Sequence, residues 1–189
     1  METGEHRRLD MKMQILFLDI DGVLNCKNSK TYYSSEYPDK YGLDERLWKN
    51  LQKFLSRFPD IKVVIHSGWI KHKDDPNYTW DMGHPELGIK LKTQLPEVVD
   101  RLGDRFFGYV PYMKGKSKAK RIAQWLLDHD ALDNSKCQCI VLDDDRSDYA
   151  ELLELEKYCN VCVKFTNTNT GFDAVSLSDA IEIGEVIFK

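Results

Sequence analysis

The chain has 189 residues, of which 42% are apolar and 31% charged, and its formal net charge is −4. This composition is typical of a soluble domain with one substantial core and excludes a largely disordered chain. No apolar run approaches the roughly 18 residues of a membrane helix, and the charged N-terminus differs from a signal peptide, so we expect a cytoplasmic protein. The negative charge gives no general basic field, so a nucleic-acid contact would need a local patch.

The five cysteines favour a reducing environment, since no export signal accompanies them. They are Cys26, Cys137, Cys139, Cys159 and Cys162. The last four could supply a four-thiolate zinc site. However, C-x-C is a poor spacing for zinc, and both pairs fall in or beside predicted core strands, which favours buried free thiols.

We expect residues 1–12 to form a disordered or expression-derived tail and residues 13–189 to form a single domain, organised around its first strand. That apolar strand starts at Ile15 and leads into two carboxylates, Asp19 and Asp21, followed by Gly22. Two acids near the carboxyl edge of a parallel sheet repel each other unless a cation or a proton lies between them. Mg²⁺ prefers such oxygen ligands, so the stretch predicts a magnesium site. The alternative is a buried strand with an acidic turn.

A tyrosine-rich loop over residues 27–42 is expected to lie above this site. Its candidates for substrate contact are Tyr32 and Tyr33, which would either stack on a base or sugar or pack against the domain itself. Asp44 then provides an N-cap for a helix with regular apolar spacing that Pro59 ends.

The second strand, 61–65, leads into Ser67 and Gly68, at a position where a strand end meets a ligand. The serine hydroxyl would donate to a phosphate oxygen or, alternatively, make only a local turn bond.

Residues 70–90 predict a second loop at the rim of the site, where basic and aromatic residues alternate. Together with the preceding Trp69, the loop offers Lys71 and Trp80 as candidate contacts for an anionic substrate. The leucine spacing from residue 87 predicts a short helix that Pro96 interrupts.

The remaining elements predicted from periodicity are strands at 106–110, 138–145 and 161–165, a helix opening over 114–121, and a closing helix at 178–187. Lys118 lies at the start of the first of these helices. It is either part of a solvated helix start or a cation that reaches into the cleft.

The fourth strand ends in three consecutive acids, Asp143, Asp144 and Asp145, and Asp148 follows one helical turn after Asp144. Neighbouring carboxylates raise one another's pKa, so the run either splays into solvent or serves a cation.

Taken in order, these strand-end motifs resemble those of the haloacid dehalogenase (HAD) superfamily of phosphohydrolases. The motifs are Leu-Asp-Ile-Asp-Gly-Val-Leu-Asn, Ser-Gly-Trp, Lys118 before a helix, and Leu-Asp-Asp-Asp. Their wording is similar to the small capless members, which include the phosphatase domains of nucleic-acid end-repair (polynucleotide phosphatase) enzymes. We therefore expect a three-layer, doubly wound α/β fold with a mainly parallel, Rossmann-like sheet and no large cap domain.

The resemblance implies that Asp19 is the nucleophile and that Asp21 protonates the leaving group and later activates water. It also implies that Mg²⁺ is held by Asp19, by the backbone carbonyl of Asp21, and by Asp144. Asp144 is preferred over its acidic neighbours because, with the later acid, it reproduces the family's D-x-x-x-D spacing.

By the same resemblance, Ser67, Gly68 and Lys118 would bind the phosphate oxygens. Asp143 and Asp148 would orient the lysine or a metal-bound water. His66 departs from the common pattern, because many relatives have a small residue there.

The second acid, Asp21, favours phosphate esters over halides, because a halide leaving group needs no proton. The loops at 25–43 and 70–90 are too short for an independent lid. An open cleft admits a nucleic-acid end or a nucleotide, so we expect a Mg²⁺-dependent phosphomonoesterase acting on such substrates and no membrane partner. Alternatives are a general small-molecule (sugar phosphate) phosphatase, a phosphoprotein phosphatase, and a non-catalytic phosphate-binding domain.

Overall fold

The computed structural model describes residues 12–31, 42–70, 85–133, 135–146 and 160–188. The strands are β1 (Met13–Leu18), β2 (Lys62–Ile65), β3 (Phe106–Tyr109), β4 (Cys137–Asp143) and β5 (Asn160–Phe165). The helices are α1 (Glu45–Arg57), α2 (Pro85–Leu102), α3 (Lys118–Asp128) and α4 (Ala174–Ile187), and 3-10 helices lie at Gly68–Ile70 and Gly103–Arg105. None of the helices in these ranges is long and apolar enough to cross a membrane.

The strands form one sheet in the order β3-β2-β1-β4-β5, and every pair is parallel. The predicted mainly parallel sheet is therefore confirmed, and it is entirely parallel over the strands described. The chain builds outward from β1 to β3 and then returns to place β4 on the other side of β1. Ligands of open α/β sheets bind at the carboxyl edge where the strand order reverses in this way, which here is the edge shared by β1 and β4.

Strand register brings the predicted motifs to the same level of the sheet. Leu18, the last residue of β1, pairs with Ile65 of β2 and with Leu142 of β4. Neighbouring strands of a sheet lie about 4.8 Å apart. The residues that follow these three therefore meet at one edge, and they include Asp19 and Asp143.

Alternation along β1 gives the sheet two apolar faces and hence a three-layer fold. Leu16 and Leu18 belong to a buried cluster with residues of α1, α2 and α4. Ile15 and Phe17 belong to a second cluster, in which the ring of Trp125 from α3 packs edge-on against Phe17. Burial on both faces explains why the strand reads as an unbroken apolar run.

Three helices begin at a capping side chain, and two of them begin at a different residue from the one predicted. The Asp44 side chain accepts a hydrogen bond from the Arg46 amide and starts α1 as predicted. Ser117 caps α3, which begins at Lys118 rather than at residue 114. Asp173 caps α4, so that helix begins four residues before the predicted Ser178. Caps of this kind satisfy amides that the first helical turn leaves unpaired.

The predicted interruption at Pro96 is wrong, because α2 continues through it as one helix. A proline inside a helix removes one backbone hydrogen bond and costs about 3 kcal/mol. The residues around it, Leu95, Val98 and Leu102, are at least 95% buried, and burial of each such side chain contributes about 1.5–3 kcal/mol. Tertiary packing therefore offsets the local penalty.

The cysteine geometry does not fit a four-thiolate zinc site. Cys137 and Cys139 lie in the cluster that faces α3, with sulfur atoms 3.2 Å apart. Val161 of the next strand faces the same cluster, so its neighbour Cys162 points to the opposite side, where it lies beside Ile183 of α4. Cys162 therefore faces a different side of the sheet from Cys137 and Cys139. Cys159 lies outside the described residues.

Candidate active site

The backbone turns sharply after β1 and carries Asp19 and Asp21 on that turn. The amides of Val23, Leu24 and Asn25 all donate to the carbonyl of Ile20, at 3.2, 2.8 and 3.3 Å. One carboxylate oxygen of Asp19 accepts the Ile20 amide at 2.7 Å, and the Asp19 residue is 3% exposed. The nucleophile candidate is therefore buried and fixed by the chain's own turn.

Gly22 is required at this turn for two reasons. Its φ is 71°, a left-handed conformation that residues with a Cβ rarely adopt. A Cβ at this position would also lie 2.0 Å from Cγ of Asp144. The Thr166 hydroxyl donates to the Gly22 carbonyl at 2.7 Å and ties the turn to the end of β5. The close approach of this turn to Asp144 is thus possible only with glycine.

Both carboxylate oxygens of Asp21 accept hydrogen bonds. Trp69 Nε1 donates to Oδ2 at 2.9 Å, and Asn25 Nδ2 donates to Oδ1 at 2.9 Å. Asn25 is itself fixed, because its Oδ1 accepts the Gly22 amide at 3.1 Å. Two donors from different segments therefore set the orientation of the Asp21 carboxylate.

The expectation that Trp69 lies on the rim of the site is wrong. The residue is fully buried, and it packs in the cluster shared with α1 and α2. Its indole N–H needs a partner when buried, and Asp21 provides one. Asn25 is the last residue of the first motif, but no site role was predicted for it from the sequence. Its position four residues after Asp21 on a tight turn is the signal that could have identified it.

Lys118 joins the two buried acids of β1 and β4. Its Nζ lies 2.5 Å from Oδ2 of Asp19 and 2.9 Å from each carboxylate oxygen of Asp143. Burial opposes the charge on a lysine, yet the two carboxylates outweigh it and hold the pKa of Lys118 well above its ordinary value. The lysine predicted to reach the cleft does so from the first residue of α3.

The two acids paired with Lys118 differ in electrostatics. Burial raises the pKa of Asp19, but the charges of Lys118 and its other neighbours outweigh burial, so the net pKa lies below the ordinary value. Asp143 is completely buried, and burial together with the nearby Asp19 charge raises its pKa to about 8. The opposite directions of these two shifts favour the ionised form at Asp19, and a nucleophile must be ionised.

Strand β2 supplies His66, Ser67 and Gly68 to the floor of the site. Ser67 is fully buried, and its Oγ accepts a long hydrogen bond from the Trp69 amide at 3.4 Å. The serine therefore makes the local turn hydrogen bond that was one of its two predicted roles. Gly68 lines the cleft. His66 is 1% exposed, with Nδ1 3.8 Å from Asp143 Oδ2. Burial lowers its pKa to about 4, so His66 is neutral.

Three acids among the described residues are arranged to hold a metal ion. Asp19, Asp143 and Asp144 each place a carboxylate oxygen within 4.8 Å of the others. Both oxygens of Asp143 already accept from Lys118, and one also accepts the Asp145 amide at 2.8 Å. Asp144 lines the cleft; burial raises its pKa and a hydrogen bond from Thr168 lowers it, with a net rise. A set of carboxylate oxygens fits a hard cation such as Mg²⁺.

These groups surround a cleft of about 400 Å³. The residues lining it are Asp19, Asp21, Gly68, Lys118, Asp144, Asp145, Arg146 and Thr168. The structure therefore brings together residues of all four predicted motifs. Arg146 and Thr168 were not predicted as site residues. Both follow strand ends at this edge, and that position is the signal that marks them.

Several predicted residues fall outside the part of the chain that the structure describes. They are Tyr32, Tyr33, Lys71, Trp80 and Asp148. Their roles stay predictions from the sequence.

Parallel strands, an aspartate pair after β1, and a lysine bonded to the last residue of β4 define a small HAD-type phosphohydrolase domain, with no large cap among the described residues. Residues 15–176 match the model of a family described as the HAD domain in Swiss Army Knife RNA repair proteins, and the chain belongs to this family. No curated protein matches the sequence.

A solved structure with a similar fold is the HAD domain of effector protein Lem4 from Legionella pneumophila. The similarity covers 95% of this chain and 97% of that chain, with a TM-score of 0.51 and 16% sequence identity. At this identity, the likeness supports the fold alone, which agrees with the HAD fold expected from the motifs.

Proposed function

We propose that this domain is a Mg²⁺-dependent phosphomonoesterase that acts on nucleic-acid ends or nucleotides through an aspartyl-phosphate. The observation that carries the proposal is the different setting of the two acids. Asp19 is buried beside a lysine that favours its ionised form, whereas Asp21 lines the cleft with its carboxylate oriented by Trp69 and Asn25. This difference suits the two roles, because a nucleophile must be ionised whereas a proton-transfer group must reach the leaving oxygen.

In the first step, a carboxylate oxygen of Asp19 attacks phosphorus and the bond to the ester oxygen breaks. Asp21 gives its proton to that oxygen, and the alcohol leaves. In the second step, Asp21 takes a proton from the attacking water, the bond between phosphorus and the Asp19 oxygen breaks, and inorganic phosphate is released. Both carboxyl groups thereby return to their starting state.

Lys118 stabilises negative charge on the transferring group, because its Nζ already lies 2.5 Å from the attacking residue. Ser67 and Gly68 would bind the remaining phosphate oxygens. Asp143 keeps Lys118 in position through two 2.9 Å contacts, and we extend the same supporting role to Asp148.

Asp19, Asp144 and the backbone carbonyl of Asp21 would hold the Mg²⁺. The bound ion would offset the repulsion between carboxylates and phosphate and neutralise charge that develops during transfer. The acidic cluster at this edge supports that assignment.

Two arguments support a nucleic-acid substrate. The matching family is described by its occurrence in RNA repair proteins, and the described residues include no large cap that would enclose a small metabolite. We also propose that residues 13–189 act as one phosphatase domain and that Tyr32, Tyr33, Lys71 and Trp80 contribute to its substrate rim.

The test is release of inorganic phosphate from a panel of substrates with and without Mg²⁺. The panel holds oligonucleotides phosphorylated at the 3′ or 5′ end, mononucleotides, a sugar phosphate and a phosphopeptide. We expect turnover of nucleic-acid ends or nucleotides that EDTA abolishes and that Asp19→Asn removes. Asp133→Asn is a matched control, because Asp133 is an acid that caps a turn before β4, at the opposite edge of the sheet. No phosphate release from any substrate would refute the enzymatic proposal.

A further inference from the structure

Arg146 is a cation on the wall of the cleft that the mechanism above does not use. It lines the cleft together with Lys118, Asp144 and Thr168, and its side chain is exposed to solvent. Arg146 follows Asp143, the last residue of β4, by three positions. It therefore lies just beyond the acids that are proposed to handle the metal and the scissile phosphate.

The guanidinium group is held in place by an aromatic ring. Its carbon lies 5.5 Å from the centre of the Phe165 ring, a distance at which a cation is attracted to the ring face. Phe165 ends β5 and pairs in register with Asp143. A side chain that is already oriented loses less conformational entropy when it binds a ligand.

Arg146 and Lys118 approach the cleft from the same side of the sheet. Phe165 packs against the apolar cluster that faces α3, and Lys118 reaches Asp143 from α3. Because paired residues of a parallel sheet share a face, the Phe165 side chain lies on the same face as Asp143, the acid that holds Lys118, and the two strands are about 4.8 Å apart. Arg146 is thus a second positive charge on the same side of the cleft as Lys118, the lysine proposed to bind phosphate.

The charges of the cleft leave Arg146 suited to an anion of the substrate. Lys118 is engaged by Asp19 and Asp143. Within the described ranges, Arg146 forms no ion pair with a carboxylate, and its one interaction there is with Phe165. A planar guanidinium presents paired N–H donors that match the oxygens of a phosphate group.

We propose that Arg146 binds the phosphodiester group next to the terminal phosphate, and that the domain therefore prefers the end of a polynucleotide to a mononucleotide. This inference rests on the proposed phosphatase function and specifies its substrate. A mononucleotide carries only the phosphate that is removed, whereas a polynucleotide end offers a second anion one nucleotide away. Such a contact positions the strand without reading its sequence.

The experiment compares phosphate release from phosphorylated hexauridylate, uridine monophosphate and para-nitrophenyl phosphate, with the uridine substrates carrying the phosphate at the 3′ or the 5′ position. The variants are Arg146→Gln, which removes the charge, and Arg146→Lys, which keeps the charge but loses the paired donors. Lys136→Gln is the matched control, since Lys136 is exposed and directly precedes β4, at the far end of the same strand. Hydrolysis of para-nitrophenyl phosphate reports whether each variant is folded.

For Arg146→Gln we expect the KM for hexauridylate phosphate to rise roughly tenfold or more, as for a lost charge-assisted hydrogen bond, with kcat unchanged. The two small substrates should change less than about twofold, and Arg146→Lys should lie between the wild type and Arg146→Gln. The dependence of log KM on log salt concentration should flatten by about one phosphate contact. Lys136→Gln should behave as the wild type.

Equal effects of Arg146→Gln on hexauridylate phosphate and uridine monophosphate would overturn the inference, as would no effect on either. A wild-type preference for the mononucleotide or for a phosphopeptide would overturn it as well. Failure of the proposed function is a different result, in which the wild-type protein releases phosphate from none of the three substrates.

Discussion

Replacement of Gly22 by alanine tests whether the turn after β1 and the Asp144 carboxylate are fitted to each other. The added Cβ would lie 2.0 Å from Cγ and 2.5 Å from Oδ1 of Asp144. The left-handed backbone of this residue costs a non-glycine side chain roughly 1–2 kcal/mol. The overlap adds a second effect, because the carboxylate must move away. We therefore expect a loss of stability together with weaker Mg²⁺ binding.

Gly115→Ala separates these two effects. Gly115 has a similar φ of 75°, but nothing lies within 4 Å of the Cβ that alanine would add. The free energy of unfolding in urea should fall by roughly 1–2 kcal/mol in Gly115→Ala and by at least as much in Gly22→Ala. Mg²⁺ titration by calorimetry should give a roughly tenfold or larger rise in Kd for Gly22→Ala only, as for other displaced metal-site groups. A wild-type Kd in Gly22→Ala would refute the placement of Asp144 at the metal.

Two further substitutions test the groups that hold the acids. Trp69→Phe removes a hydrogen-bond donor to Asp21, so kcat/KM should fall roughly tenfold for alkyl phosphates, whose leaving group needs a proton, and less for para-nitrophenyl phosphate. The control is Trp48→Phe, at another buried tryptophan. Equal losses on both substrates would contradict a role of Trp69 in proton transfer by Asp21. Lys118→Met leaves Asp19 and Asp143 buried without their cation and should cost about 3–5 kcal/mol at neutral pH. Without the lysine, the pKa values of Asp19 and Asp143 in the folded protein lie above their values in the unfolded chain. The variant should therefore recover stability as pH falls towards about 5. Urea unfolding that shows no such recovery would count against the ion pairs of Lys118 with these two acids.

The positions of the strand ends could be predicted from the sequence, because the residues that indicate a strand also indicate where that strand lies in the sheet. An unbroken apolar run followed by Asp19 predicted both a buried strand and the edge of the sheet at which the candidate site lies. Parallel strands necessarily bring their carboxyl ends together, so Asp143 and the Ser67 turn could be placed beside Asp19 without coordinates. The register of β1 with its two neighbours gives that expectation its physical basis.

Contacts that depend on side-chain direction could not be predicted in this way. Trp69 follows a strand end and looks like a rim residue in the sequence, yet its ring turns into the core and only its N–H reaches Asp21. Pro96 is a strong local signal for a helix end, but buried neighbours on α2 outweigh it. The position of Arg146 over Phe165 joins the segment after β4 to the end of β5, and no local pattern encodes it.

The run Asp143-Asp144-Asp145 shows how neighbouring like charges are accommodated at a strand end. Asp143, still in the strand, is completely buried and bonded to Lys118. Asp144 leaves the strand, packs against Gly22 and faces the cleft. Asp145 is exposed, where water screens its charge. The change from strand to loop therefore sends three adjacent carboxylates into three environments, so that Asp143 contacts the lysine and Asp144 faces the cleft, where the proposed Mg²⁺ would bind.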